Sequence, residues 1–173
     1  MIRSLRKVIS GGQTGVDQAA LRAARDSGLE IGGWCPPGRE CETGVIPAEF
    51  PLQETERQCS SAAPDVPRSQ RTEWNVRDSD GTLVITMGGN RSGRPTSNDS
   101  GTEWTIECAR RYKKPLLVCN VDDPKARSKI QPWIDGNRMS IVNIAGPSEA
   151  TVSGVGERAY SLLRRVFEEI ASE

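Results

Sequence analysis

Between the apolar pair Val8-Ile9 and an alanine-rich stretch, the chain reads Gly11-Gly12-Gln13-Thr14-Gly15-Val16-Asp17. Glycines at this density let backbone come close to a guest, and a helix starting just after them offers N–H donors and a positive dipole end. This is anion-binding chemistry, and phosphate is its natural guest. The run is not a Walker A loop, since no Gly-Lys-Ser/Thr closes it, and it lacks the Gly-x-Gly-x-x-Gly spacing of a dinucleotide fingerprint. Thr14 and Asp17 also fit the Ser/Thr-x-x-Asp/Glu pattern of a helix cap. Asp17 thus reads equally as a capping residue or as an acceptor for a heterocycle or ribose.

The same logic recurs after Met87. Gly88-Gly89 opens a polar segment containing Arg91 and Arg94, and Ser100-Gly101-Thr102 then starts a second helical pattern. Helix N-termini and movable guanidinium groups are both anion donors, so the two turns predict one shared phosphate site. A third turn, Ala145-Gly146-Pro147-Ser148-Glu149, reads equally as a plain turn or as a ligand contact. Arg71, Asn75 and Asp78 fall on one helical face, which either forms an exposed ion-pair ladder or offers polar groups to a ligand.

Composition narrows the chemistry further. The sequence has no histidine, which excludes Ser-His-Asp and Cys-His catalysis and histidine-based metal sites. Any acid or base must be Asp, Glu, Lys, Tyr or Cys. Lys plus Arg and Asp plus Glu are both 23, so no broad basic field exists for nucleic acid or anionic membrane. Five cysteines without a Cys-x-x-Cys pair read as reduced structural thiols, and no metal-ligand cluster is predicted. With no signal-like or spanning segment, the expectation is a soluble cytoplasmic protein.

These residues need a frame. Nearly continuous apolar runs at 7–10, 82–87, 115–121 and 140–145 suit strands buried on both faces. Helical patterns lie between and after them at 14–27, about 101–113, about 124–135 and 155–171. In the last, Val155, Ala159, Leu162, Leu163, Val166, Phe167 and Ile170 form one stripe. The alternation predicts a single α/β domain over 1–173, Rossmann-like and doubly wound, with a mostly parallel sheet and helices on both faces. The proline-rich region at about 36–70 breaks the rhythm and reads as an elaborated loop.

In order along the chain, SGGQTGVDQAAL, GGWCPPGRECETGVIP, RTEWNVRDSDGTLVI, SGT before a helix, KKPLLV and NIAGPSE resemble the molybdenum carrier family, which sits with YpsA-like proteins in the SLOG superfamily. The resemblance runs from about Lys7 to the final helix. It implies a Rossmann-like homo-oligomer that carries molybdenum cofactor (molybdopterin) or a similar phosphorylated heterocycle. The binding residues it implies are Gly11, Gly12, Gln13, Thr14, Gly15, Gly88, Gly89, Ser100, Gly101 and Thr102, with Arg39 as a lid contact. Asp17, Asn75 and Gly146 complete the candidate set. Phosphoribohydrolases of the wider superfamily carry a Gly-Gly-x-Gly-Thr-x-x-Glu motif with a catalytic glutamate, whereas this chain has Thr105 at that place. A carrier with no catalytic residue is therefore the first expectation. A hydrolase of nucleotide derivatives using Asp17, Glu103 or Glu107, or a nucleotide-sensing module, is the alternative.

Overall fold

The computed structural model describes residues 5–88 and 100–172. Its main sheet has five strands: β1 (Lys7–Ile9), β2 (Glu30–Gly32), β7 (Gly81–Thr86), β8 (Leu116–Asn120) and β9 (Ile141–Ala145). They lie in the order β2-β1-β9-β7-β8, and every pairing is parallel. Parallel pairs need crossovers, which the helices supply. The helices are α1 (Val16–Asp26), α2 (Ser69–Arg77), α3 (Ser100–Arg111), α4 (Ala126–Gly136) and α5 (Val155–Ser172).

One face of the sheet is covered by α1, α4 and α5, and the other by α2 and α3. Every residue of β7 is buried, as its unbroken apolar run requires. The stripe of α5 lands on the core, with Leu163, Val166 and Phe167 packed beside Val8, Leu83 and Ile144. A fully buried side chain of this size contributes about 1.5–3 kcal/mol. On the other face Trp104 is only 7% exposed. Its indole N–H donates to Ser69 O at 3.0 Å, locking α3 to the start of α2.

The region from 36 to 70 is more ordered than an open loop. It holds a 3₁₀ turn (Pro37–Arg39), a hairpin of β4 (Glu40–Cys41) and β5 (Gly44–Val45), and β6 (Gln53–Glu54), which pairs in parallel with β3 (Trp34–Cys35). Its own small core joins Cys35, Cys41, Ile46, Phe50 and Leu52 to Leu21 of α1. No described helix is long and apolar enough to cross a membrane.

The cysteines are free thiols, and Cys59 alone escapes full burial. Desolvation pushes the Cys108 thiol up to about 12 and the Cys119 thiol up to about 11, and raises Cys35 as well. Because the thiolate is the reactive form, an aromatic disulfide reagent at pH 8 is expected to label Cys59 first. The remaining four should react only after denaturant is added. Fast labelling of a second thiol in the native protein would contradict this packing.

Candidate functional site

Numbered from β9 and continued cyclically through β1, β2, β7 and β8, the sheet order becomes 3-2-1-4-5. That is the order of a dinucleotide-binding sheet, in which ligands lie outside the carboxyl ends of the strands where the order reverses. Here the reversal falls between β9 and β7. A cleft of about 270 Å³ opens there, with Ala145 and Gly146 from the end of β9 on one side and Ser100, Gly101, Thr102 and Thr105 of α3 on the other. Gln13 and Asp17 reach it from the β1–α1 turn, Glu42 from the hairpin, and Pro67, Arg68, Arg71 and Thr72 from the start of α2. Ser148 and Thr151 close the β9–α5 side.

Three helix starts meet this edge of the sheet, and they are used differently. At α5 the Glu149 carboxylate accepts from Gly154 N at 2.9 Å and Gly156 N at 2.7 Å, so the chain supplies its own anion. At α1 the Val16 amide donates to Pro147 O at 3.2 Å and the Gln18 amide to Gln13 O at 3.1 Å. The first turn of α3 lines the cleft itself. Its dipole favours an anion at that point.

The electrostatics of the cleft rest on a buried pair. Arg71 Nη1 lies 3.3 Å from Asp17 Oδ2, with the two side chains 14% and 3% exposed. Asp17 Oδ2 also accepts from Gln13 N at 3.2 Å. Arg68, held 3.5 Å from Glu40 Oε1, brings a second cation to the lining. Gln13 is 5% exposed. Its Nε2 donates to Glu40 O at 2.9 Å, while its buried Oε1 has no hydrogen-bond partner among the described residues. Buried acceptors are seldom left so, and an unfilled one points to a missing donor.

Of the expected site residues, Gln13, Asp17, Ser100, Gly101, Thr102 and Gly146 line this cleft. The other glycines of the first turn meet protein. Gly11 lies under the Arg71 side chain, Gly12 faces Ile46 and Leu52, and Gly15 abuts the Pro147–Glu149 backbone. The Thr14–Asp17 capping pair does not form: the N-cap of α1 is Gly15, without a side-chain bond. Instead the Thr14 hydroxyl donates to Glu42 Oε2 at 2.7 Å and accepts from Glu149 N at 3.3 Å, tying the hairpin to two strand-end turns.

Arg39 and Asn75 lie away from the lining. The Arg39 guanidinium donates to the carbonyls of Pro47, Phe50 and Leu52 and folds that segment around itself. Asn75 brackets Trp34, accepting from its N–H at 2.8 Å and donating to its C=O at 2.9 Å. Asp78 accepts from the Trp34 indole at 2.7 Å. The shared face of Arg71, Asn75 and Asp78 is therefore a row of struts, partly buried, and not an exposed ion-pair ladder. Gly88 donates to Asp122 Oδ2 at 3.2 Å and is not in the lining, whereas Gly89, Arg91 and Arg94 lie outside the described residues.

Sequence reasoning passed over Arg68, Glu42, Thr72 and Thr151 as site residues, had Ser148 only within the third candidate turn, and placed Arg71 only on a helix face. The Ser148–Thr151 spacing, whose hydroxyls lie 3.0 Å apart, was the signal available. Neither Glu103 nor Glu107 lines the cleft. Arg110 and then Arg111 hold the Glu107 carboxyl down at about 2, the wrong direction for a general acid at neutral pH. Thr105 does line it, and its hydroxyl donates to Gly101 O at 2.8 Å.

The circularly permuted YpsA SLOG family matches the chain over residues 8–167. The chain belongs to this family. The central strand of this sheet, β9, comes from the carboxyl-terminal part of the chain, an arrangement consistent with a permuted strand order. A crystal structure of a "putative molybdenum carrier protein" from Syntrophus aciditrophicus SB is similar to this family member, at 36% identity and a TM-score of 0.80. The match covers 95% of this chain and 96% of that one. No curated protein matches the chain.

Proposed function

We propose that the protein is a carrier of molybdenum cofactor or of a similar phosphorylated pterin or nucleotide derivative, held in the switch-point cleft. The observation that carries this reading is the convergence of the α3 first turn and Arg68 on a cleft that also contains the buried, unpartnered Gln13 Oε1. A phosphate belongs at the helix start beside Arg68, and an N–H or O–H of the guest completes Gln13. The cargo brings its own molybdenum, because among the described residues no three metal-ligating side chains come together. Carriage is favoured over hydrolysis by Thr105, which stands where the phosphoribohydrolases have their glutamate, and by Asp17, the buried carboxylate of the cleft, which is paired to Arg71.

Gly101→Asp sets a carboxylate at the mouth of α3, against the proposed phosphate. Calorimetric titration with GMP as the probe is expected to show affinity weakened at least about tenfold, the scale of a lost charge-assisted bond. GMP should be recovered unchanged after long incubation. Equal affinity in a folded Gly101→Asp protein, or steady release of guanine or inorganic phosphate by wild type, would overturn the proposal.

A further inference from the structure

The cleft lining has a chemical bias that phosphate alone does not account for. Among the described residues it includes no aromatic ring and no long aliphatic side chain, and Pro67 and Ala145 are its most apolar members. Proteins that grip a planar heterocycle gain much of their affinity by stacking it on aromatic faces or on guanidinium planes. Of the two guanidinium groups here, Arg71 is committed to Asp17 and Arg68 is tied toward Glu40.

What the lining offers is short-range hydrogen bonding of both signs. Gln13 Oε1, Asp17 and Glu42 are acceptors on the β1–α1 and hairpin side, and the Glu40 carbonyl fixes the Gln13 amide so that Oε1 is the atom left over. The hydroxyls of Ser100, Thr102 and Ser148 lie on the α3 and β9 sides. An aliphatic hydroxyl donates once and accepts twice and can rotate to meet either wall, so a chain of hydroxyls satisfies both without an aromatic face to stack on.

Resting on the phosphate reading above, we propose that the part of the cargo gripped here is a phosphorylated polyhydroxy stem of the sugar-phosphate type. One of its hydroxyls donates to Gln13 Oε1, and the ring system lies outside the main contacts. Such a stem can arrive as a free sugar phosphate or as part of a nucleotide, so the inference selects the nucleotide-derivative arm of the proposed function over molybdopterin, whose side chain has no free hydroxyls.

The test compares four probes on the full chain by calorimetry: inorganic phosphate, ribose 5-phosphate, GMP and AMP. Ribose 5-phosphate is expected to bind within about fivefold of both nucleotides and at least about tenfold more tightly than inorganic phosphate, the scale of one or two buried hydrogen bonds. In Gln13→Leu that tenfold advantage over inorganic phosphate should vanish. Nucleotides that bind a hundredfold more tightly than ribose 5-phosphate would show that the ring is read and would end this inference while leaving the phosphate site standing. If none of the four binds, both readings fall. The wild-type comparison decides the matter even if Gln13→Leu does not fold.

Discussion

Arg71→Met is expected to lower the unfolding free energy by about 3 kcal/mol, because removing one partner of a buried ion pair strands the other charge in a poorly hydrated place. Asp17 is that other charge, 3% exposed, at 3.3 Å from the guanidinium. Methionine keeps much of the apolar stem of arginine, so lost packing over Gly11 is a small part of the cost. Urea denaturation followed by tryptophan fluorescence measures the change directly. The double variant Arg71→Met with Asp17→Asn should lose less than the two single changes added together, with a coupling of about 1–3 kcal/mol. A loss below about 1 kcal/mol in Arg71→Met would mean that Asp17 is well accommodated without the cation.

Gly15→Ala is the second large effect, expected at about 3–4 kcal/mol and near 10 °C in melting temperature for a chain of this size. Gly15 has φ 79 and ψ −125, a region open to glycine and strained for alanine by about 1–3 kcal/mol. A Cβ there would also sit 2.5 Å from Pro147 O and 2.8 Å from Glu149 N. Both contacts are backbone, so relief requires moving the β9–α5 turn and the carboxylate that caps α5. Gly28→Ala is the control: its φ is +78 but nothing lies within 4 Å of the added carbon, so only the conformational cost of roughly 1 kcal/mol remains. Equal melting temperatures for the two variants would show that the Gly15 contact is not tight.

Much of this architecture was legible because local pattern and burial agree. The stripe of α5 and the unbroken run of β7 mark their elements without help from the rest of the chain. By contrast β2 spans only Glu30, Ile31 and Gly32, too short for any periodicity to emerge. The α2 segment carries few apolar residues, and its inward face is polar because its work is to bond other segments: Asn75 to Trp34, Arg71 to Asp17.

The site was legible in type more than in detail. Gln13, Asp17 and Ser100–Thr102 could be picked out, since glycine-flanked helix starts announce themselves. What Gly11, Gly12 and Gly15 accommodate could not be read, because the neighbour in each case comes from far along the chain. Arg39 shows the same limit: a cationic side chain in a loop suggests a ligand, but this one is consumed by three carbonyls brought back by the fold.

The central position of β9 bears on how the protein is made. β1 pairs only with β2 and β9, and β7 only with β8 and β9. Until Ile141–Ala145 leaves the ribosome, a nascent chain holds two separate two-stranded parallel pieces, neither stable alone in water. The middle strand then joins both halves at once, closing contacts more than a hundred residues apart in sequence, such as Val8 with Val142. Because Ala145 and Gly146 also form one wall of the cleft, the cleft itself is complete only once β9 has taken its place in the sheet.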